Sequence, residues 1–552
     1  MKRFVKFASI LILFILFISC DEVADLPDDE AVVDPDLPEW TAIVHFAIDN
    51  NIDYYFEEEA GIMSNYLGTL EEVEAADSEN NIQIIVFMDG CQSEDSYTSE
   101  FDDGYYVLTG GEFTEDLTFS LDEVNSGSVS ESKAMMDWVV ENYPAQKYLY
   151  SVFNHGGGFD DYSADGTYTY GSDKGIGFDD SDDDSLSHSE LGELVEYLSG
   201  LINSPVDLFY PYACLMGGIE LAYEVKDSAE YILFSEDVFP AENWSYEALG
   251  EIPDNPSIGA EELATAFCNS AYDFFITDSI DRSFTLALVD LDKVDNLADK
   301  LDDLAVEAIA DLNTDDSIAE TYNDAAEEAT SMYTSYYIDI YSYMNEIMAR
   351  TEIADEVRTA AGLVNSALES AVLTFTQNYY DEAGGISIYN SPWYSTTYSE
   401  TDYTQFLEFG EDTSWADFQS LVYSLEIPLE EDDYEPDDSY DAAGTITLNE
   451  SQSHNLHNSE DVDWIKFTAE EGESYLISIP YTTNSILDMY LYYESDLNNY
   501  IDYGWEGYDI YIDSADSGTY YIKIESYNEG YGTYSLSLED FSYSSQASYI
   551  ER

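Results

Sequence analysis

Two side chains in this sequence could form a nucleophile and its base, and each follows a short apolar run. His155 comes just after Lys147–Val152 (KYLYSV), and Cys214 comes just after Val206–Tyr210 (VDLFY). Short apolar runs bounded by Gly or Pro predict buried strands of a parallel sheet. In open α/β sheets the reactive groups lie just beyond the carboxyl ends of the strands. The imidazole and the thiol can therefore meet, which is the arrangement that a cysteine nucleophile and its base require.

The residues next to this pair strengthen the interpretation. Gly156–Gly158 let the backbone approach a ligand closely, and an N–H exposed there could hold the oxyanion of an acyl-transfer intermediate. The segment after Cys214 (LMGGIELAYEVKD) has helical character, so we expect a helix N-terminus beside the thiol that helps to keep it charged. Taken singly, a Cys in an apolar context is more often an inert core residue. A His and a Cys at two strand ends together indicate a catalytic dyad.

The chain resembles the clostripain-like cysteine peptidases, whose fold is like that of the caspases and gingipains. The resemblance spans about residues 39–425, and its most specific signals are the His-Gly and Ala-Cys pairs at the two strand ends. Five segments carry it, in the order of the family: Trp40–Ile52, Asn125–Gly158, Gly177–Leu194, Val206–Glu224 and Gly384–Pro392.

The resemblance implies a fold and a reaction. We expect a mostly parallel sheet flanked by helices, followed by a helical C-terminal subdomain, in an α/β protein. The expected activity is that of a cysteine endopeptidase acting on proteins or peptides. Cys214 is then the nucleophile, His155 is the base, and the N–H groups of Gly156 and Cys214 hold the oxyanion. No organic cofactor is implied, and calcium is considered because some members of the family depend on it.

The residues that would select a substrate depart from the family pattern. Members typically carry an Asp two positions before the cysteine, where it helps to form an acidic pocket for Arg or Lys. Tyr212 occupies that position here, and a phenol cannot supply the charge that pairs with a guanidinium. Glu236, Asp237 and Glu242 lie in a segment (SEDVFPAENWSY) that relatives also use to shape the pocket. A preference for basic side chains and an aromatic or otherwise altered pocket both stay open.

The charge of the chain excludes one class of partner. Its 552 residues include 15 Lys and Arg against 118 Asp and Glu, a net charge of −103. Nucleic acid is excluded as a partner, because phosphate contacts need clustered basic residues. Two explanations of the acidity compete: a solvated surface suited to salty surroundings, which we favour, and attraction of basic substrates or divalent cations.

One acidic loop, residues 160–184, raises two further hypotheses. The run Asp179–Asp184 (DDSDDD) could hold a hard cation through its oxygens, although a solvated turn is the more common explanation. Lys174 lies in the same loop, between Gly and Asp residues (GSDKGIG), and relatives mature by cutting themselves after a basic residue between the catalytic His and Cys. Lys174 is therefore a candidate self-cleavage site.

The N-terminus predicts export. Basic residues precede the apolar run Phe7–Ile18, which is short for a spanning helix, and Ser19-Cys20 follows. Residues 1–20 resemble a bacterial lipoprotein signal in which Cys20 receives the lipid, so we expect a membrane contact through that anchor. Phe17 departs from the usual Leu, and a plain cleaved signal is the alternative. Residues 21–38 are acidic and contain Pro, as is typical of a flexible tether.

A second domain is predicted after the peptidase domain, which we assign to residues 39–427. Residues 428–438 (PLEEDDYEPDD) are an acidic linker, and alternating apolar and polar residues over 439–545 predict a β-sandwich. This part resembles the bacterial pre-peptidase C-terminal domain. Three acids, Asp437, Asp461 and Asp463, could bind calcium, although surface solvation is the favoured explanation. His454 and His457 are expected to be exposed.

Two other functions remain open at this point. The Tyr at position 212 and the acidity suggest a catalytically inactive, peptidase-like binding or adhesion protein on the cell surface. A metal-dependent hydrolase is disfavoured, because the sequence has no H-E-x-x-H run and only five His. A disulfide between Cys91 and Cys268 cannot be decided from the sequence.

Overall fold

The fold of this chain is described from a computed structural model. The structure describes residues 37–53, 62–90, 103–115, 124–159, 175–240, 246–277, 282–333, 337–390, 403–404, 407–425, 432, 434–458, 461–479, 487–497, 499–505, 510–512, 514–526 and 532–540.

The first fourteen strands belong to the peptidase-like part of the chain. They are β1 (Trp40–Ile48), β2 (Ile82–Gly90), β3 (Gly104–Leu108), β4 (Phe113–Glu115), β5 (Lys147–Phe153), β6 (Gly156–Gly158), β7 (Gly175–Asp179), β8 (Asp184–Leu186), β9 (Val206–Tyr212), β10 (Ala229–Phe234), β11 (Phe284–Asp290), β12 (Tyr337–Asp339), β13 (Val372–Asn378) and β14 (Ser387–Tyr389).

Nine of these strands form one sheet, in the order β13-β11-β10-β9-β5-β1-β2-β3-β4. The five central strands, β10-β9-β5-β1-β2, are parallel, and the pairs on both flanks are antiparallel. Central strands are buried on both faces, which explains why they appear in the sequence as continuous apolar runs. Two small sheets, β6-β7-β8 and β12-β14, lie outside the large sheet.

Helices fill the connections between the strands. They are α1 (Ile62–Ala76), α2 (Val129–Asn142), α3 (His188–Ile202), α4 (Ile219–Val225), α5 (Glu251–Asp254), α6 (Ala260–Tyr272), α7 (Val294–Leu312), α8 (Ala319–Glu328), α9 (Ile340–Ala349), α10 (Asp355–Ala371), α11 (Glu408–Asp412) and α12 (Trp415–Ser424). Short helical turns lie at Glu247–Gly250, Asp273–Thr277, Leu291–Lys293 and Asp316–Ile318.

The large sheet separates two apolar cores. Alternate residues of β1 enter different cores. Ile43 belongs to the core that includes α2, α3 and α7, whereas Val44 belongs to the core that includes α1 and α6. Because strand side chains alternate between the faces of a sheet, one strand supplies both layers. The predicted α/β sheet with helices on both faces is confirmed.

The N-terminus of α3 is capped by the residues around its first turn. Ser187 accepts the N–H of Glu190, and the Glu190 carboxylate accepts the N–H of Ser187, which together form a capping box at the start of α3. This fixes α3 directly after β8, on the connection that leads from the His155 strand to the Cys214 strand. Helices α7, α8, α9 and α10 form the expected helical subdomain, and the strands β12 and β13 within it were not predicted from the sequence.

The C-terminal part is a separate pair of sheets. Its strands are β15 (Gly444–Thr445), β16 (Glu450–Leu456), β17 (Val462–Ala469), β18 (Tyr475–Ser478), β19 (Leu487–Tyr493), β20 (Asp502–Trp505), β21 (Ile510–Ile512), β22 (Gly518–Ser526) and β23 (Gly532–Asp540). A five-stranded sheet, β15-β17-β22-β19-β20, and a four-stranded sheet, β16-β23-β18-β21, share one apolar core. The alternation in the sequence predicted this sandwich, but not β15, β16 or β20.

The acidic segment before the sandwich packs onto it. Asp432 accepts the N–H of Asn455 at 2.8 Å, and the carbonyl of Asp437 accepts the N–H of Trp464 at 3.0 Å. The described residues of the predicted linker therefore contribute to the second domain.

Candidate active site

The pairing of two neighbouring strands sets where His155 and Cys214 lie. In the parallel ladder between β5 and β9, Phe153 is paired with Tyr212. His155 and Cys214 each lie two positions beyond that last pair. Parallel strands end at the same edge of a sheet, so the register brings the two residues to one edge on adjacent strands. This is the juxtaposition that the sequence predicted.

The His155 ring is held by a residue from a third strand end. Its Nε2 lies 2.7 Å from Oδ1 of Asn51, in the turn after β1. An amide oxygen can only accept, so Nε2 carries the hydrogen and Nδ1 is the basic nitrogen. The contact between Asn51 and His155 was not predicted from the sequence. An amide side chain beside a catalytic imidazole carries no sequence signal of its own.

The loop that carries His155 is fixed on both sides. The Asn154 amide donates to the carbonyls of Ala47 and Phe178, the latter at 3.1 Å. On the other side, the Tyr337 hydroxyl accepts the N–H of Phe159 at 3.0 Å and donates to the carbonyl of Gly157 at 3.2 Å. Tyr337 is a second residue beside the site that was not predicted from the sequence.

Backbone N–H groups surround the Cys214 sulfur. The N–H of Phe239 donates to Sγ at 3.3 Å. Burial raises the pKa of the Cys214 thiol to about 11 and nearby Asp237 adds to the rise, whereas the N–H groups of Phe239, Cys214 and Gly156 oppose it. The thiol is therefore neutral near pH 7 and must lose its proton to a base as it reacts. Two of these donors, Gly156 and Cys214, are the predicted oxyanion donors.

The segment after Cys214 turns sharply instead of entering a helix. Leu215 has a left-handed backbone (φ 58), and its N–H donates to the carbonyl of Asp237 at 3.2 Å. Gly217 lies against the backbone of Ser235 and Glu236, so close that an added Cβ would sit 2.5 Å from the Glu236 nitrogen. Helix α4 begins only at Ile219. The expectation of a helix N-terminus at the thiol was therefore wrong, and the pKa is raised instead of lowered.

Tyr212 lies in the core and does not line an open pocket. Its side chain is 3% exposed, stacks on Tyr66 and Tyr210, and shares a 2.7 Å hydrogen bond with the Tyr66 hydroxyl. Burial holds the pKa of Tyr212 well above its ordinary value. Its interpretation as a pocket residue is corrected, because β9 directs this side chain into the aromatic layer beneath the site.

The two described acids of the predicted pocket have different environments. Glu236 is fully buried, and burial together with the neighbouring Asp339 holds its pKa well above the ordinary value. The proximity of the two carboxyl groups thus favours the protonated form of Glu236. The Asp237 carboxylate accepts the N–H of Tyr333 at 2.9 Å and the hydroxyl of Tyr380 at 2.5 Å. Only Asp237 lies close enough to Cys214 to raise its pKa.

Several predicted residues fall outside the described part of the chain, namely Cys20, Cys91, Lys174 and Glu242. Cys268 is a buried, free thiol in α6. Of the helices that the structure describes, none combines the length and the apolar character needed to span a bilayer.

Acid clusters that could hold a metal occur in both domains. In the sandwich, Nδ1 of His454 lies 3.8 Å from Asp432, and Nδ1 of His457 lies 3.1 Å from Glu435 and 2.5 Å from Asp461. His454 is 1% exposed and stacks on Tyr534, so the expectation that both histidines are exposed was wrong. Asp437 and Asp463 are also buried rather than solvated. A further cluster, in the first domain, consists of Asp49, Asp89 and Asp179.

A thiol beside a histidine, both at the carboxyl edge of a mostly parallel sheet, defines a hydrolase of the cysteine-nucleophile class. The family comparison agrees: the model of the Clostripain family matches residues 44–431, and the chain belongs to that family. It is therefore a cysteine endopeptidase, as predicted. The model of the Bacterial pre-peptidase C-terminal domain matches residues 461–526, within the β-sandwich.

The individual relatives share a low sequence identity with this chain. Clostripain from Hathewaya histolytica is 23% identical over 409 residues, which is 63% of this chain and 76% of the relative. A secreted C11 cysteine protease from Bacteroides thetaiotaomicron, solved with an irreversible peptide inhibitor, is 16% identical, with a TM-score of 0.49 over 69% of this chain and 99% of that one. The pre-peptidase C-terminal domain of a Bacillus anthracis collagenase is 28% identical, with a TM-score of 0.16 over 17% of this chain and 93% of that one.

Proposed function

We propose that this chain cleaves peptide bonds by acyl transfer through Cys214 and His155. Nδ1 of His155 takes the thiol proton as the sulfur attacks the scissile carbonyl, and the N–H groups of Gly156 and Cys214 stabilise the oxyanion. The imidazolium then gives its proton to the leaving amine as the C–N bond breaks. Water, deprotonated by the same imidazole, attacks the thioester; the C–S bond breaks, and the thiol and a carboxylic acid are released.

The observation that carries this proposal is the alignment of two strand ends. The Phe153–Tyr212 pair puts both reactive residues at the same distance beyond the ladder, and Asn51 orients the ring. The raised thiol pKa fits a reaction in which deprotonation accompanies attack. No preformed thiolate is needed for this mechanism.

The test compares the two free thiols of the described chain. Cys214→Ala should abolish turnover of peptide substrates, whereas Cys268→Ala, which removes a thiol inside α6, should retain it. A peptidyl electrophile should label Cys214 alone, as located by mass spectrometry of the digested protein. Turnover that persists in Cys214→Ala would overturn the assignment.

We further propose that the enzyme prefers Arg or Lys on the acyl side of the scissile bond. The support is Asp237, a buried carboxylate near Cys214 that forms no ion pair with any Lys or Arg in the described part of the chain. A buried carboxylate without a cation is costly, so a basic substrate side chain would be attracted to it. Matched substrates with Arg, Lys, citrulline or Ala at this position measure the preference, and equal rates would contradict it.

Export with a lipid anchor at Cys20 is also proposed, on the strength of the N-terminal sequence. A basic start, a short apolar run and Ser19-Cys20 are the support. Metabolic labelling with a fatty acid in a bacterial host should mark the wild type and spare Cys20→Ser. If both proteins are exported without lipid, the signal is of the plain cleaved kind.

Self-cleavage after Lys174 is the last part of the proposal. It would break the chain between the two catalytic residues, which the paired strands β5 and β9 would still hold together. The intact mass of purified wild type should show two fragments, and Cys214→Ala should remain one chain. Lys174→Gln tests the position, and a single uncut chain in the wild type would eliminate the idea.

A further inference from the structure

Asp237 lies beside the nucleophile, yet its side chain is covered by other residues. The carbonyl of Asp237 accepts the N–H of Leu215 at 3.2 Å, and two positions further on the N–H of Phe239 donates to the Cys214 sulfur at 3.3 Å. Asp237 is nevertheless only 2% exposed. A basic substrate side chain, which the proposed function directs to this acid, therefore reaches it only if part of the cover moves.

Tyr380 forms one part of that cover, and its hydroxyl occupies one of the two carboxylate oxygens. The hydroxyl donates to Oδ2 of Asp237 at 2.5 Å, while the backbone N–H of Tyr333 donates to Oδ1 at 2.9 Å. Burial and the contact with Asp237 raise the pKa of Tyr380 above its ordinary value, so the hydroxyl keeps the proton that it donates. A guanidinium binds a carboxylate best as a fork with one N–H on each oxygen. The Tyr380 hydroxyl thus stands where a bound arginine would place one of its N–H groups.

The cover over Asp237 lies at the protein surface. Tyr380 is half-buried, whereas Tyr379 and Tyr333 are 66% and 73% exposed. Tyr379 also has a left-handed backbone (φ 74), which bulky residues rarely adopt. Residues held in such conformations cluster at ligand-binding sites and switch regions. Here the strained residue directly precedes the side chain that covers the acid.

Tyr380 can leave Asp237 without unfolding its turn. Its backbone N–H donates to the side chain of Gln377 at 2.8 Å, and its carbonyl accepts the N–H of Ala383 at 3.0 Å. Both of these bonds are made by the backbone of Tyr380, so they survive a change of its side-chain rotamer. Rotation of the ring breaks the bond between the hydroxyl and Asp237 and frees Oδ2.

The exchange of the hydroxyl for another donor favours a cation. The phenol is neutral, whereas a guanidinium or an ammonium brings a full positive charge to a carboxylate that is shielded from water. Attraction between two full charges in such a site exceeds the attraction between a carboxylate and a neutral hydroxyl. A neutral side chain such as citrulline has no such advantage over the hydroxyl.

We propose that Tyr380 controls access to the specificity pocket: its hydroxyl holds the Asp237 carboxylate in the free enzyme and gives way to the guanidinium or ammonium group of a basic substrate side chain. Tyr380 acts through Asp237 and takes no part in the acyl transfer itself. The inference rests on the proposed preference for Arg or Lys.

The first test measures the binding of a small cation without turnover. Full-length protein carrying Cys214→Ala, in which self-cleavage cannot interfere, is titrated in a calorimeter with benzamidine, whose planar amidinium presents a fork of N–H groups. Benzamide, which has the same ring without the charge, is titrated in parallel. Tyr380→Phe removes the competing hydroxyl and keeps the ring, so benzamidine should bind about tenfold more tightly, as expected for one hydrogen bond to a charged group. Benzamide should gain less. Tyr272→Phe, the same change at a tyrosine of α6 that is 48% exposed, should alter neither affinity.

A second set of variants shows whether the effect passes through the acid. With Asp237→Asn in the same background, benzamidine should bind weakly, and adding Tyr380→Phe should no longer improve its affinity. Urea unfolding of each variant provides the check on folding. A purely structural role for Tyr380 predicts the opposite result for Tyr380→Phe, namely lower stability with weaker binding of both compounds, and that result would overturn the proposal.

Turnover separates this inference from the function on which it rests. In the active protein, Tyr380→Phe should lower KM for an Arg substrate by about tenfold with little change in kcat, and KM for the matched citrulline substrate should change less. If the wild type prefers Arg but Tyr380→Phe does not tighten the binding of benzamidine, the inference is wrong and the proposed function stands. If the wild type cleaves the Arg and citrulline substrates equally well, the preference and the inference fall together.

Discussion

Gly156 lies directly against the backbone of Cys214: a methyl group built on its α-carbon would sit 2.0 Å from the Cys214 carbonyl oxygen. The contact leaves room for hydrogen alone and keeps the Gly156 N–H beside the sulfur. We therefore expect Gly156→Ala to displace one oxyanion donor and lower kcat by about 10²- to 10³-fold. Overpacking should also lower the free energy of unfolding by about 1–3 kcal/mol.

Gly200→Ala is the matched control for this substitution. Gly200 is exposed in α3, and no atom lies within 4 Å of the position of an added Cβ. Activity should be unchanged, and stability should rise by about 0.5–1 kcal/mol because alanine is the better helix former. Steady-state kinetics measure kcat, and urea unfolding measures the free energy of unfolding, for both variants. Full activity in Gly156→Ala would show that its N–H takes no part.

Asn51→Ala should impair the base without removing it. The Asn51 oxygen, 2.7 Å from Nε2, stabilises the imidazolium that forms during catalysis. Hydrogen bonds to charged groups contribute about 1.5–3 kcal/mol, so kcat should fall about tenfold to a hundredfold with little change in KM. The rate at which iodoacetamide alkylates Cys214 should fall as well. A change confined to KM would mean that Asn51 contacts substrate instead of the ring.

Asp237→Asn should weaken discrimination in favour of Arg and Lys. The substitution preserves size and removes a negative charge near Cys214 that would attract a basic side chain, so the ratio of kcat/KM for Arg over citrulline should fall by about a hundredfold. Glu236→Gln is the control, because Glu236 is the adjacent buried acid and burial, together with Asp339, raises the pKa of its carboxyl well above the ordinary value. If both substitutions shift the ratio equally, general electrostatics and not Asp237 sets the preference.

The Glu236–Asp339 pair should make stability fall as pH rises. In the folded state the pKa of Asp339 is raised to about 6, mainly by burial, and that of Glu236 is raised well above 4.5. The folded protein therefore holds protons that the unfolded chain releases from about pH 4 upward. The contribution of this pair to the free energy of unfolding is greatest below that pH and declines as the pH rises through the folded pKa values. Urea unfolding between pH 4 and 8, with chelator present, should give a shallower decline for Glu236→Gln. Equal slopes for the variant and the wild type would refute a contribution from Glu236.

The placement of His155 and Cys214 at one edge of the sheet was predictable from the sequence because it depends on local patterns. Lys147–Val152 and Val206–Tyr210 are apolar runs of strand length, and parallel strands in α/β folds end at the same edge. The sandwich was predictable for a similar reason, since half-buried strands alternate. In both cases the pattern that predicts a strand lies within one short segment of the sequence.

The hydrogen-bond partners of His155 and of the loop that carries it were not predictable, because each depends on packing between distant segments. Asn51 and His155 lie 104 positions apart, and Tyr337 lies 180 positions from Gly157. Val372–Asn378 was missed as a strand because it continues an alanine-rich helix without a break in the sequence. Tyr212 was placed in the pocket by analogy, whereas strand alternation directs it into the core.

Cys214 packs against a hydrophobic core that contains the stacked rings of Tyr66, Tyr210 and Tyr212. A new charge on that side would have to be buried among aromatic rings, at a cost to folding of several kcal/mol. Substrate preference is therefore easier to alter around Asp237, to which Tyr333 and Tyr380 donate hydrogen bonds from the later half of the chain. Diversification of cleavage preference should accordingly be found in those late segments, with the tyrosine layer left intact.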